Sequence, residues 1–186
     1  MKTEGYDPMT TFSIDTTHSA IGFSVRHMVF ARVRGNFTKW TADLKLDPSD
    51  ATKSSLEVSI DAGSIDTREP QRDGHLKSAD FLDAEKYPKI TFKSRRVEAA
   101  EGKNYKVVGD LTIHGVTREV PLSVEETGRA KDPWGNDRIG YVAKASFERS
   151  NFGLKWNQTL EAGGLLVGDR VDVEIDVEAV AAAPKA

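Results

Sequence analysis

Residues 171–179, Val171-Asp172-Val173-Glu174-Ile175-Asp176-Val177-Glu178-Ala179, alternate apolar and acidic side chains without a break. Successive side chains of a strand point to opposite faces, so this segment builds one apolar face and one strongly acidic face. The same period of two recurs upstream. Leu56, Val58 and Ile60 alternate with Glu57, Ser59 and Asp61, and Trp40, Ala42, Leu44 and Leu46 alternate with Thr41, Asp43, Lys45 and Asp47. Val120, Leu122 and Val124 make another set, and Ile139, Tyr141, Ala143, Ala145 and Phe147 a further one; shorter candidates lie at 12–14, 21–25, 90–92 and 107–113.

Turn-forming clusters separate these runs: Asp47-Pro48-Ser49-Asp50, Glu101-Gly102-Lys103-Asn104, His114-Gly115 and Asp132-Pro133-Trp134-Gly135-Asn136. Short strands joined by such turns, without helices alternating between them, predict an antiparallel sandwich or barrel. Eight or nine candidates suit a closed barrel, which is either solid or wide enough for one small ligand. Alternation alone does not say which. An outer-membrane barrel needs a secretion signal and aromatic girdles, and neither is evident.

Two stretches interrupt the rhythm. Residues 69–83 place Leu76, Ala79 and Leu82 at helical spacing, which predicts a short helix across one end of the sheet, weakened by Gly74. Residues 150–168 mix Phe152, Leu154, Trp156, Leu160 and Leu165 with four glycines, which predicts an irregular apolar segment of the kind that often binds ligands.

Composition narrows the function. The 186 residues make one domain, and the absence of cysteine excludes disulfides, zinc–thiolate sites and thiol nucleophiles. A net charge of -3 supplies no basic excess for nucleic acid. No apolar run reaches the ~18 residues of a membrane helix. The polar start lacks the order of a secretory signal, so a cytoplasmic protein is expected. Residues 1–10 are expected to be a flexible N-terminus, 11–180 the β domain and 181–186 a disordered tail.

No motif singles out a catalytic centre. His18, His27, His75 and His114 are scattered, with no pair on one strand face to begin a metal site, and none is predicted. His18 and Ser19, being adjacent, face opposite ways in an extended chain and read instead as a polar turn serving nearby backbone groups. No phosphate loop is present, and no two acids stand out as an acid–base pair. Arg26, Arg32 and Arg34 are separated by even steps, and Arg32 and Arg34, if extended, share a face. That face is either ordinarily solvated, the simpler reading, or meets an anionic head group. Arg68, Arg72 and His75 flank the predicted helix, where a phosphate would find both cations and free amides. The aromatics Phe23, Phe30, Phe37, Trp40, Phe81, Phe92 and Trp156 read as core from sequence physics alone, while Trp134 sits in a turn.

The order of short motifs resembles the YceI-like family. The pieces are Ile14-Asp15-Thr16-Thr17-His18-Ser19, Phe23-Ser24-Val25-Arg26-His27, Val33-Arg34-Gly35-Asn36-Phe37, Ser64-Ile65-Asp66-Thr67, Arg72-Asp73-Gly74-His75-Leu76-Lys77-Ser78 with Asp80-Phe81-Leu82-Asp83, and Tyr87-Pro88-Lys89-Ile90-Thr91-Phe92. Val108-Gly109-Asp110-Leu111-Thr112-Ile113-His114-Gly115-Val116-Thr117 and Arg149-Ser150-Asn151-Phe152-Gly153 complete the series, which spans about residues 11–180. The resemblance implies an all-β, antiparallel, eight-stranded lipocalin-like barrel that binds a polyisoprenoid or similar long-chain amphiphile without catalysis, cofactor or metal, often as a homodimer. Many relatives carry a periplasmic signal. On that reading Phe23, Val25, Phe30, Phe37, Trp40, Phe81, Phe92, Leu111, Ile113 and Trp156 line the cavity, and His27, Arg32, Arg72 and His75 meet the head group. The rival expectation is a filled barrel acting as an interaction or stress-response module.

Overall fold

In the computed structural model, which describes residues 10–47 and 49–182, the period-two segments become eleven strands. They are β1 (Thr10–Ile14), β2 (Ala20–His27), β3 (Ala31–Phe37), β4 (Trp40–Leu46), β5 (Ser55–Asp61), β6 (Ile65–Asp66), β7 (Lys89–Ala99), β8 (Asn104–Ile113), β9 (Val116–Lys131), β10 (Asp137–Glu148) and β11 (Val167–Ala181). Every pairing is antiparallel.

Register shows that six of these strands are halves of three staves. β1 and β2 run in the same direction along β11, with Ile14 opposite Ala179 and Ala20 opposite Asp176. β4 and β3 lie along β1 and β2 in turn, and β5 and β6 along β4 and β3. The result is an eight-stave antiparallel barrel, closed where β1 and β2 meet β11.

Side chains stitch the breaks. Ser64 Oγ accepts from Lys39 N at 3.1 Å and donates to Asp61 O at 2.7 Å, while Thr38 N donates to Ser64 O at 3.2 Å. Ser19 Oγ accepts from Glu178 N at 2.9 Å, so the polar turn expected at His18-Ser19 is present and serves the backbone. These bonds satisfy groups that an uninterrupted ladder would otherwise hold.

The helix α1 (Pro70–Lys77) is shorter than the 69–83 expected. Glu69 caps its start by accepting from Gln71 N and Arg72 N, and Pro70 occupies the first turn, where no amide bond is lost. Ser78 ends it in extended geometry, donating its own N–H to His75 O. The chain then turns back so that Leu82 N and Ala84 N donate to Leu76 O and Lys77 O. Leu82 is therefore buried without being helical, and Ala79 faces solvent. Helical spacing of three apolar residues was thus a coincidence of a helix followed by a tight return.

α1, the hairpin tips at 28–30 and 114–115, and the segment 149–166 gather at one end; the 47–54, 100–103 and 132–136 connections lie toward the other. Thr10 and Ala181 are in strands. The remaining expectations for a flexible start and a disordered tail fall on 1–9 and 183–186, outside the described residues. No described helix is long and apolar enough to cross a membrane.

Candidate functional site: an apolar cavity along the barrel axis

The inward sets leave a hole. A cavity of about 1250 Å³ runs through the barrel, bounded by Ile21, Phe23 and Val25, by Trp40, Ala42 and Leu44, and by Val171, Val173 and Ile175, among others. Its volume exceeds the ~300–1,000 Å³ typical of small-molecule sites. A cavity of this size makes the barrel hollow, against the filled interior of the rival expectation.

Two glycines create part of this space. A Cβ on Gly35 would stand 2.5 Å from Phe23 Cζ, and one on Gly109 would stand 2.5 Å from both Phe92 Cζ and the Lys93 carbonyl. Each glycine thus lets an aromatic ring lie close against the wall instead of reaching across the lumen. At Gly109 the obstruction is partly backbone, which has no rotamer by which to give way.

Phe23, Val25, Phe37, Trp40, Phe81, Phe92, Leu111, Ile113 and Trp156 all border the cavity, as do His27, Arg72 and His75. Two expectations need correction. Phe30 is at the β2–β3 tip, 86% exposed, because the chain reverses there and no wall lies behind it. Arg32 is on the outer face, donating to Asp172 Oδ2 at 3.2 Å and to Ser24 Oγ at 3.3 Å. In β2 and β3 the paired inward residues are odd-numbered, Ile21 with Phe37 and Val25 with Val33, so an even-numbered neighbour points away.

Polar groups concentrate at the two ends. Near α1, His75 packs edge-on against Trp156 and Phe81, with ring centroids 4.7 and 5.1 Å away, and its Nε2 meets Asp80 Oδ2 at 2.8 Å. Arg72 is anchored through Nε to Thr67 Oγ1 at 2.7 Å and through Nη2 to Thr67 O at 2.8 Å. Beside them Arg149 is 5% exposed and borders the same cavity. Its guanidinium donates to the carbonyls of Leu154, Trp156, Gly168 and Val167, and burial pulls its pKa down. The irregular segment expected at 150–168 is held by this side chain together with Asn157, which donates to Val167 O at 2.7 Å and accepts from Val167 N at 3.0 Å.

Arg149 belongs to the motif Arg149-Ser150-Asn151-Phe152-Gly153, which by itself gives it no role. The available signal was the absence of any acid between it and Glu161, in a stretch containing Phe152, Leu154 and Trp156. Such an arginine, if buried, has only carbonyls to turn to.

At the far end Tyr105, Tyr141 and Arg129 border the cavity. Arg129 grips the buried Glu126 through two bonds of 2.9 Å, which lowers the carboxyl's pKa. Burial pushes the Tyr141 phenol up to about 12, keeping it a neutral hydrogen-bonding group at physiological pH. Nearby, Arg138 donates to Asp15, Asp132 and Glu178. Asp15, His18 and Glu178 present ligand atoms within 4.8 Å of one another. Arg138 already supplies positive charge to both of those carboxylates, so the trio forms part of an ionic clamp.

Comparison with known proteins agrees with this architecture. The YceI-like domain model matches residues 12–179. A UPF0312 protein of Vibrio cholerae is 36% identical over 171 residues, covering 91% of this chain and 86% of its own. One from Staphylococcus aureus is 35% identical, covering 91% and 97%. Among solved structures, Burkholderia cenocepacia BcnA superposes with a TM-score of 0.78 at 25% identity, covering 89% of this chain and 98% of BcnA. The Campylobacter jejuni YCEI protein gives 0.73 at 32%, covering 98% and 100%. A polyisoprenoid-binding domain from Saccharophagus degradans gives 0.64 at 16% over 92% and 98%, a likeness of fold. With the family model matched over residues 12–179 and relatives above 30% identity along most of its length, the chain belongs to the YceI-like family.

Proposed function

We propose that this protein binds a polyisoprenoid or similarly long-chain amphiphile in the axial cavity, for storage or transport and without chemical turnover. The observation that carries the reading is the continuous cavity of about 1250 Å³ walled by the inward faces of all eight staves. Each methylene withdrawn from water contributes roughly 0.8 kcal/mol, so a prenyl chain of several units is retained without specific bonds. The Saccharophagus degradans domain of the same fold is a polyisoprenoid-binding domain, which supports the same ligand class.

The head group belongs at the α1 end. Arg72 has two of its donors fixed on Thr67, and its Nη1 makes no hydrogen bond among the described residues. His27 and His75 border the same cavity, which suits an isoprenoid phosphate or a quinone. Because the polar groups here are held by backbone or by each other, they orient a ligand and do not form a nucleophile–base pair. The functional unit on this reading is a homodimer, read by sedimentation.

Organic extraction of the purified protein followed by mass spectrometry tests the proposal. An extracted long-chain amphiphile is expected from the parent. Ala143→Trp, which fills the lumen from a buried position on β10, is expected to release it while the far-ultraviolet β signal persists. Ligand-free parent protein that also fails to take up added prenyl alcohol would overturn the reading. Arg72→Gln is expected to weaken uptake of a prenyl phosphate more than uptake of the matching alcohol.

A further inference from the structure

The β2–β3 tip is built against the usual logic of a hairpin. Met28, Val29 and Phe30 occupy the turn, with φ of 50° at Met28 and 68° at Val29. A β-branched residue in that left-handed region is an outlier, since the turn favours glycine or asparagine there. Burial does not repay the strain, because Val29 is 61% and Phe30 86% exposed. Leu165, 55% exposed, extends the apolar surface from the neighbouring loop, which is tied to the tip by Met28 N donating to Leu166 O at 2.9 Å. A contiguous exposed patch of this kind marks an interaction surface.

Its setting specifies the partner. In a chain of net charge -3, residues 20–37 contain Arg26, Arg32 and Arg34 and no acid, and of these Arg32 is paired with Asp172 on β11 while Arg26 lies next to the turn. Arg26 is exposed and donates to Val29 O at 3.4 Å, so one cation sits directly behind the apolar tip. Arg26, His27, Leu166 and Val167 also border the axial cavity, so tip and cavity mouth are continuous. An aromatic and aliphatic tip backed by arginines fits the boundary between acyl chains and anionic head groups.

We infer that this tip is a docking surface for an anionic lipid bilayer. Met28, Val29, Phe30 and Leu165 enter the acyl boundary, Arg26 and Arg34 meet lipid phosphates, and the cavity mouth faces the membrane. Docking does not depend on what the cavity holds.

Co-flotation of the full chain with vesicles of phosphatidylglycerol and phosphatidylcholine, containing no isoprenoid, reads docking alone. The parent is expected to float, and to float less with pure phosphatidylcholine or in high salt. Phe30→Asp and, separately, Leu165→Asp are expected to lower partitioning roughly tenfold or more. Joint replacement of Arg26→Gln and Arg34→Gln is expected to lower it several-fold. Uptake of prenyl alcohol in solution, which uses the cavity and not Phe30, is expected to stay at the parent level in Phe30→Asp and serves as the folding control. Equal flotation of parent and Phe30→Asp would overturn the inference. So would a parent that ignores vesicles and sediments as a dimer that Phe30→Asp splits, since the tips would then cover one another.

Discussion

At the α1 end a single guanidinium, Arg149, lies buried among four main-chain carbonyls, whereas at the far end Arg138 stands among three carboxylates. Both arginines hold a closing segment in place, yet they do so with opposite electrostatics. Arg149 keeps its charge beside the cavity with no carboxylate bonded to it among the described residues, and desolvation outweighs the pull of Asp169, so its pKa falls. Arg138 is surrounded by opposite charge, and its pKa rises. The first arrangement resists pH and salt and is costly to break; the second is tunable by both.

The comparison fails if the two arginines respond alike. Arg149→Met should have the largest effect, because it strands several buried carbonyls. A loss of at least about 3 kcal/mol in urea unfolding is expected. Retained stability would mean that the 150–168 segment holds itself.

Arg138→Gln should cost less at neutral pH and should change the acid limb of the stability curve. Hydrogen bonds from Thr17 and then from His18 and Arg138 hold the Asp15 carboxyl well below its ordinary 3.8, and Asn136 and Arg138 do the same for Asp132. A carboxyl lowered in the folded state stabilises fully above its ordinary value and loses that contribution as pH falls through the lowered one. The parent should therefore lose stability steeply below pH 3.8, and Arg138→Gln less steeply. His18 works with the opposite sign. Its bond to Asp15 raises its pKa above 6.5, so its contribution is present in acid and fades as pH rises through the raised value. Thermal melts across this range read both limbs.

The smallest expected effect sharpens the contrast between the membrane-facing tip and an ordinary turn at the same end. His114-Gly115 also has two positive φ values, 53° and 72°, but glycine takes the second. Val29→Gly should bring the β2–β3 tip toward that pattern and raise stability by up to about 1 kcal/mol. The corresponding gain in melting temperature is ~2–4 °C. An unchanged or lower melting temperature would show that the tip is not strained.

The walls were legible because a half-buried strand imposes period two on every stave, as 171–179 display without interruption. The turn at Asp132–Asn136 was equally legible, since Asp132 accepts from Trp134 N and Asn136 N as turn aspartates do. Local pattern failed where tertiary contacts decide. Leu76, Ala79 and Leu82 mimic a helix face, yet only the burial of Phe81 and Leu82 after Ser78 explains the return. Residue type misleads at Phe30 and Arg32, where parity decides: Val25, Val33 and Phe37 set the odd positions as inward. The hollow interior was not in the pattern at all. It depends on how far across the barrel rings such as Phe23 and Phe92 extend, and Gly35 and Gly109 fix that only once strands are paired.

The tryptophans have a practical consequence. Trp40 borders the lumen from β4, Trp156 borders it beside His75, and Trp134 projects into solvent on the 132–136 turn. A hydrophobic guest changes the polarity around the first two indoles and leaves the third as an internal reference. Emission colour and quenching by iodide thus report occupancy in real time, and single Trp→Phe replacements tell which depth the guest has reached.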